Sequence, residues 1–246
     1  MSTVVTTERV AEASPRLTAR TAGFFWLMTF LGGTFALSGN RLVVYGDAAA
    51  TAANLLAHEA LYRWVVTANL VAGVCYLVAT VLVYALLKPV NRNISLLAAF
   101  FSLAGCAITG VGFVFSLAPL TVLGGTQDVS VFSVHQSQAM ALTFLRLGAQ
   151  AFYIGHVFFG LHCLLVGYLI LRSTFLPTVV GALMVFAGLG WLTLSFANLL
   201  SPPFGRSLFP YALLPGMLGE GSLTLWLLAK GVNIQRWREQ SGAAGQ

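Results

Sequence analysis

The sequence predicts an all-α polytopic membrane protein, a six-transmembrane-helix bundle with both termini in the cytoplasm and a short interfacial helix on the outer side. Composition is the first reason. Hydrophobic residues make up 58% of the 246 residues and charged residues 8%, against about 25% charged residues in an average soluble domain. Because so few charges cannot cover a soluble surface, that class is excluded. The basic excess is small and scattered, so we expect no nucleic-acid partner.

The second reason is that the apolar residues form long uncharged stretches. A helix that crosses the hydrocarbon core of a bilayer needs about 20 apolar residues. The stretches are continuous, whereas transmembrane β-strands would alternate polar and apolar residues. We expect a six-helix domain at residues 21–230, between cytoplasmic tails at residues 1–20 and 231–246. The six predicted spans lie at about residues 21–39, 64–87, 94–118, 147–171, 177–200 and 210–229.

The ends of the spans follow from charges and prolines. The second span is free of charged residues throughout, and the fourth lies between Arg146 and Arg172. The third is expected to end before Pro119, and the fifth before Pro202. The sixth reaches a spanning length only if it includes Glu220.

A short helix is predicted between the first two spans, over residues 48–62. Asp47 precedes an alanine-rich run, and an aspartate in that position caps a helix by accepting a backbone N–H. Glu59 and Arg63 stand four residues apart, in the favourable order for an ion pair. We expect this helix to lie along the outer interface, or to dip partly into it.

Basic residues predict the orientation of the bundle. Six spans put both termini on one side, and that side carries nine basic residues against four on the other. Cytoplasmic loops are richer in Lys and Arg, so both termini are predicted to be cytoplasmic. Seven aromatic residues lie near the expected membrane interfaces, where such side chains are enriched: Trp26, Tyr62, Trp64, Tyr84, Tyr168, Tyr211 and Trp237.

Several motifs in one order carry a resemblance to a known family. They are GDAAATAAN at residues 46–54, LKPVNR at 87–92, FFGLHCLLVGY at 158–168 with STFLP at 173–177, and GEGSLTLWLL at 219–228. Over roughly residues 16–233, the chain resembles the bacterial membrane proteins grouped as domain-of-unknown-function family 4386. The resemblance implies a six-helix protein of the bacterial cytoplasmic membrane. It implies no reaction and no catalytic residues. The chain departs from the family pattern at Gly221, where a larger apolar residue is usual.

Glu220 is the main candidate for a functional residue. An ionisable side chain at bilayer depth is costly unless it is paired, neutralised or hydrated. Ten residues separate Glu220 from Lys230, a rise of about 15 Å that places it near the midplane. Pro215 removes a backbone donor and is expected to free the carbonyl of Tyr211. We predict a pocket near Glu220; the alternative is a buried glutamate with a structural role.

Histidines of the fourth span are further candidates for this pocket. His162 lies ten residues before Arg172, so we expect it at nearly the depth of Glu220. A contact between Glu220 and His162 would satisfy both, and Thr224 would add a hydroxyl one turn along. The alternative is a lone His162 bonded to a backbone carbonyl. His156 is turned about 120° away from His162, so a metal or haem held by both is not expected.

A stripe along the same helix predicts a close helix–helix contact. Its residues follow at spacings of four, three and four, and small residues at such spacings let helix backbones approach closely. The stripe consists of His156, Gly160, Cys163 and Gly167.

A second group of candidates lies towards the outer end of the bundle. Arg146 is expected either to extend towards the interface or to line an outer vestibule, where it would meet an anionic headgroup or Glu59. A zinc site at His58 is not expected, because Tyr62 stands where the HExxH motif needs its second histidine. The candidates for this vestibule are Arg146, Gln150, Tyr153, His58 and Glu59.

Three functions remain open from the sequence. The first is the binding or translocation of a small ligand or proton near Glu220. The second is a membrane-embedded enzyme that acts on a lipid or isoprenoid, with Glu220 and His162 as acid and base; the small number of buried ionisable residues disfavours it. The third is a structural or regulatory membrane protein without a small-molecule site. We expect no metal and no cofactor, the lipid bilayer as a partner, and a small-molecule or lipid ligand; the sequence leaves the oligomeric state open.

Overall fold

The structure is a computed structural model that describes residues 14–44, 46–124 and 132–243. These residues form eight α-helices and no β-strand, which confirms the all-α prediction. A 3₁₀ helix, Leu37–Leu42, follows the first α-helix. The α-helices are α1 (Pro15–Ala36), α2 (Ala48–Ala57), α3 (Glu59–Leu87), α4 (Arg92–Leu123), α5 (Val134–Arg172), α6 (Thr178–Leu200), α7 (Pro202–Ala229) and α8 (Ile234–Ala243).

Five of these helices are long and apolar enough to cross a membrane: α1 with its 3₁₀ extension, α3, α4, α5 and α6. Helix α7 is a sixth if its two segments, Pro202–Phe209 and Leu213–Ala229, form one bent span. The segments meet at 49°. The bend includes Tyr211, whose carbonyl Pro215 cannot hydrogen-bond because proline has no backbone N–H.

The six long helices form a closed ring. Each packs against the next one along the chain, and α7 closes the ring by packing against α1. The outer surface of the ring is apolar and exposed, for example at Val81, Val114 and Leu225, as a lipid-facing surface requires. The ring interior is filled by buried side chains such as Trp26 and Met184. Functional groups inside the ring are therefore held by several helices at once.

Glycines bring α5 and α6 unusually close together. Gly160 and Gly167 of α5 face Gly188 and Gly181 of α6, each pair backbone against backbone. A Cβ atom added to Gly188 would lie 2.7 Å from the carbonyl oxygen of Gly160, closer than real Cβ atoms approach. The helix–helix contact predicted from the stripe on α5 is present and is made with α6.

Several helices extend beyond the predicted spans. Helix α1 begins at Pro15, inside the expected polar tail, because proline suits the first helical position. Helix α4 continues past Pro119 to Leu123, since a transmembrane helix tolerates the loss of one backbone donor. Helix α5 begins at Val134, not near residue 147, because Ser133 and Gln136 form a capping box there.

The expected C-terminal tail contains an ordered helix. Helix α8 packs across the ends of other helices, where the Trp237 indole nitrogen donates to the carbonyl of Leu86 at 2.9 Å. The Gln240 side chain accepts from the amide and hydroxyl of Thr174, each at 3.1 Å. Arg16 of α1 contacts Gly231 just before α8, so the start of α1 and helix α8 lie at the same end of the bundle.

The helix predicted over residues 48–62 is divided in two. Asp47 caps α2 as expected, accepting from the Ala50 amide at 2.8 Å. The helix breaks at His58, whose backbone leaves the helical region, and Glu59 begins α3. The pairing of Glu59 with Arg63 therefore lies in the first turn of α3 rather than in α2. Leu55 of α2 is fully buried against Leu42 and neighbouring residues, so α2 packs on the bundle.

Candidate functional site at Glu220

Glu220 projects from α7 into the centre of the ring and is 8% exposed. Each of its carboxylate oxygens accepts one indole N–H. Trp26 of α1 donates to Oε2 at 3.1 Å, and Trp191 of α6 donates to Oε1 at 2.8 Å. Three helices therefore meet at a single carboxylate.

Two glycines allow α7 to approach α6 at this point. A Cβ atom at Gly216 would collide with the indole ring of Trp191, and a Cβ atom at Gly219 would collide with the carbonyl oxygen of Leu183. Gly219 immediately precedes Glu220, and Gly216 lies one turn before it. The absence of side chains at these two positions is what lets the Trp191 indole reach Glu220.

Two further polar groups face the carboxylate. The Tyr76 hydroxyl of α3 and the Cys163 thiol of α5 both lie within reach of Glu220. The Tyr76 oxygen is buried but makes no hydrogen bond of good geometry in this conformation. Its ring packs edge-on against Trp26, with the ring centroids 5.5 Å apart.

His162 lies in the same layer but does not hydrogen-bond Glu220 in the described structure. Its Nδ1 donates to the carbonyl oxygen of Ala98 in α4 at 2.8 Å. Because a carbonyl only accepts, Nδ1 carries a proton, and Nε2 of the neutral ring is then an acceptor. Nε2 is buried without a partner among the described residues. The His162 ring lies 5.8 Å from Tyr76 and 6.3 Å from Trp26 between centroids, so these two rings contact both His162 and Glu220.

The other two candidates near Glu220 have different partners from those expected. The hydroxyl of Thr224 donates to the backbone carbonyl of Glu220 at 2.7 Å, because that oxygen lies one turn before it on α7. It therefore does not reach the carboxylate. His156 bonds the carbonyl of Phe152 at 2.8 Å, and its ring packs 4.8 Å from Trp191. It supports the indole that binds Glu220.

The outer candidates do not gather around one charged group. Glu59 pairs with Arg63 at 2.8 Å, and both side chains are exposed. An ion pair between Arg146 and Glu59 is absent from the described residues, since Arg63 lies on the same helix face as Glu59. Arg146 and Gln150 are exposed on α5, while Tyr153 is half-buried and packs against Phe152. His58 bonds the carbonyl of Asn54 at the end of α2.

The electrostatics of the site are set by neutral donors. Among the described residues, no cation forms an ion pair with Glu220, and the only ion pair is that of Arg63 with Glu59. In the same part of the chain, no three His, Cys, Asp or Glu side chains are placed to hold a metal ion. A negative charge on Glu220 would thus be offset by hydrogen bonds and not by an opposite charge from the described residues.

Sequence reasoning missed the tryptophan partners. Trp26 was expected at a membrane interface, but it is 1% exposed at the centre of the ring. A signal was available: Trp26 lies about as far from the start of α1 as Glu220 lies from the end of α7, so the two share a depth. Depth alone does not identify partners, because it leaves open which helices are neighbours and which way each side chain points.

The described residues form an all-helical protein with five or six helices long and apolar enough to cross a membrane, and one buried carboxylate lies at their centre. The family profile described as "Domain of unknown function (DUF4386)" matches residues 21–231, and the chain belongs to this family. A protein of Archaeoglobus fulgidus described as "Uncharacterized protein" is 29% identical over 161 residues, which cover 61% of this chain and 74% of that protein. No solved structure matches the chain.

Proposed function

We propose that this protein binds and releases a proton at Glu220 inside the membrane, and that protonation alters the packing of α1, α6 and α7. One observation carries the proposal: a buried carboxylate accepts one neutral donor on each oxygen and has no cationic partner among the described residues. A carboxylate locked by a cation would resist protonation, whereas neutral donors leave both states accessible. The ligand of the site is then the proton.

The groups around Glu220 suit both protonation states. Ionised Glu220 accepts from Trp26 and Trp191, and the Tyr76 hydroxyl can donate to it as well. Neutral Glu220 keeps an acceptor on each oxygen and gains one O–H donor, which the Tyr76 oxygen can accept. A hydroxyl that serves as donor in one state and acceptor in the other stabilises each of them.

The packing favours a proton over a larger ligand. Leu223, Met184 and Cys163 are almost fully buried in the core cluster that also contains Trp26, and a proton needs no cavity of its own. Two open clefts lie instead at the end of the bundle near α8, and their lining does not include Glu220. A lipid-modifying enzyme would need Glu220 and His162 to face one reacting bond, but Trp26 and Trp191 hold the first and Ala98 the second.

His162 supplies a second proton acceptor in the same layer. Its Nε2 lacks a partner within the described chain, and its ring contacts Tyr76. A proton that leaves Glu220 through the Tyr76 hydroxyl would find this nitrogen next. We therefore propose Tyr76 and His162 as the groups through which Glu220 exchanges its proton.

The proposed location is the bacterial cytoplasmic membrane, with both termini in the cytoplasm. Nine basic residues on the side of the termini against four on the other support this orientation. The contact between Arg16 and Gly231 places the two ends of the described chain together, as an even number of spans requires.

A structural role for Glu220 is the second candidate. The two indole bonds tie α1 and α6 to α7, and a tie of this kind needs no change of protonation. The two candidates predict different behaviour of Trp26 and Trp191 when the pH changes.

Tryptophan emission in lipid nanodiscs tests the proposal. The tryptophan emission of the wild type should change with pH in a one-proton transition. The reason is that the carboxylate of Glu220, which accepts from both indoles, changes its charge. Glu220→Gln should abolish the transition, whereas Glu239→Gln, an exposed acid on α8, should retain it. A flat wild-type profile, or the same transition in Glu220→Gln, would reject proton binding and leave the structural role.

A further inference from the structure

A second candidate site lies at the end of the bundle where α1 begins and α7 ends. It is an open cleft with a volume of about 350 Å³, formed by the start of α1, the α5–α6 turn, the end of α7 and the start of α8. Its lining combines two basic residues with several apolar ones. The lining includes Arg16, Phe175, Trp226, Lys230, Val232 and Ile234.

The charge of this cleft is entirely positive. Arg16 and Lys230 line it, and none of its lining residues is acidic. Both side chains are exposed, and within the described chain neither forms an ion pair. A neighbouring cleft of about 780 Å³ differs, because Glu239 stands there beside Arg236. Of the two clefts, only the first offers an anion two unopposed cations.

The backbone next to Lys230 passes close to Arg16. Gly231 ends α7 with a φ of +68°, a conformation that residues with side chains rarely adopt. A Cβ atom at Gly231 would lie 3.2 Å from the side chain of Arg16, so the turn passes directly against α1. The Asn233 amide then donates to the carbonyl of Phe175 at 3.4 Å and fixes the far wall.

Exposed apolar side chains follow or precede the lining residues of the cleft on α1 and α7. Leu17, next to Arg16, is 60% exposed, and Leu225, next to Trp226, is 65% exposed. A molecule in the cleft would meet the two cations at one end and apolar lining residues such as Trp226 and Ile234 at the other. Cationic pockets at the ends of transmembrane helices suit the headgroups of anionic lipids.

We infer that this cleft binds the phosphate group of an anionic phospholipid, with Arg16 and Lys230 at the phosphate and Phe175 and Trp226 beside the glycerol and the upper acyl chains. The site is separate from Glu220, and the inference does not depend on proton binding there.

Native mass spectrometry of the full chain, released from nanodiscs of phosphatidylglycerol and phosphatidylethanolamine, tests the inference. The wild type should retain phosphatidylglycerol in preference to phosphatidylethanolamine. Arg16→Gln and Lys230→Gln should each weaken retention of phosphatidylglycerol about fivefold, which is the effect of one cation near a lipid phosphate. The double variant should weaken retention by the product of the two single effects. Both residues are exposed, so the variants should fold, which their melting temperatures will verify.

A matched double variant, Lys88→Gln with Arg92→Gln, removes the same charge from the same end of the bundle but outside the cleft. It should retain phosphatidylglycerol like the wild type. Equal losses in the two double variants would overturn the inference, since net charge alone would then explain retention. Displacement of the lipid by millimolar inorganic phosphate would also overturn it, because the cleft would then be a site for soluble anions.

Discussion

Trp191 and Glu220 are joined by a 2.8 Å hydrogen bond at the centre of the bundle, from the indole nitrogen of α6 to Oε1 of α7. Trp26 of α1 makes the equivalent bond to Oε2, so each oxygen of the carboxylate accepts one indole N–H. This arrangement makes glutamine a poor replacement at position 220. The amide nitrogen of a glutamine is a donor, and it would face one of the two indole N–H groups.

Glu220→Gln should therefore destabilise the protein by about 1 to 3 kcal/mol, the usual penalty of a buried donor left without an acceptor. Thermal unfolding in detergent measures the change. Adding Trp191→Phe should partly relieve the loss, because the amide nitrogen can then face a ring without a donor. The variant that carries both Glu220→Gln and Trp191→Phe should lose less stability than the sum of the losses in the two single variants. Additive losses would mean that the two side chains do not interact.

Two glycines on α7 should differ sharply in their tolerance of alanine. Gly219→Ala places a methyl group on the carbonyl oxygen of Leu183, and overpacking of this kind costs about 1 to 3 kcal/mol. Gly221→Ala meets nothing within 4 Å and should be neutral or stabilising by up to about 1 kcal/mol, because alanine is a better helix former. Melting temperatures compare the two variants; equal effects would contradict the close packing of α6 and α7.

The open space at Gly221 also bears on the family resemblance. The resemblance implies a larger apolar residue there, and the structure has nothing within 4 Å of a Cβ atom at this position. The departure at Gly221 thus leaves the packing of α7 against α6 unaffected, since Gly216 and Gly219 form that contact.

The Asp47 cap should stabilise α2. Asp47→Ala removes the acceptor for the Ala50 amide and should cost about 1 kcal/mol, while Asp47→Asn keeps a side-chain oxygen and should cost little. Amide hydrogen exchange across Ala48–Ala57 reports the effect locally. Fast exchange throughout this helix in the wild type would contradict its packing against the bundle.

The sequence predicted the long helices well, because about 20 uncharged residues in a row have few alternatives to a membrane helix. It also predicted that Glu220 is buried, since a lone acid in such a helix stands out. It did not predict that Trp26 and Trp191 bind this acid. Their rings look like other apolar residues in a periodicity pattern, and the closure of α7 onto α1 brings together residues 194 positions apart. The helix break at His58 was missed because residues on both sides favour a helix.

Labelling with a membrane-impermeant thiol reagent tests the orientation of the bundle. Intact cells should label a cysteine placed at Thr126, which lies in the segment outside the described residues, and should not label one placed at Asn91, the cap of α4. The parent chain, with Cys75, Cys106 and Cys163 at half-buried or buried positions, gives the background. Labelling only at position 91 would invert the orientation.

Protonation of Glu220 is measured most directly by infrared difference spectroscopy of the protein in nanodiscs, across the pH range in which it remains folded. The wild type should show a carboxyl C=O band that appears with acidification, shifts in D₂O and is lost in Glu220→Gln. Trp191→Phe should move this band, because one hydrogen bond to the carboxyl group is removed. The same bands in wild type and Glu220→Gln, or a Glu220 signal that stays in one state throughout, would contradict proton binding at Glu220.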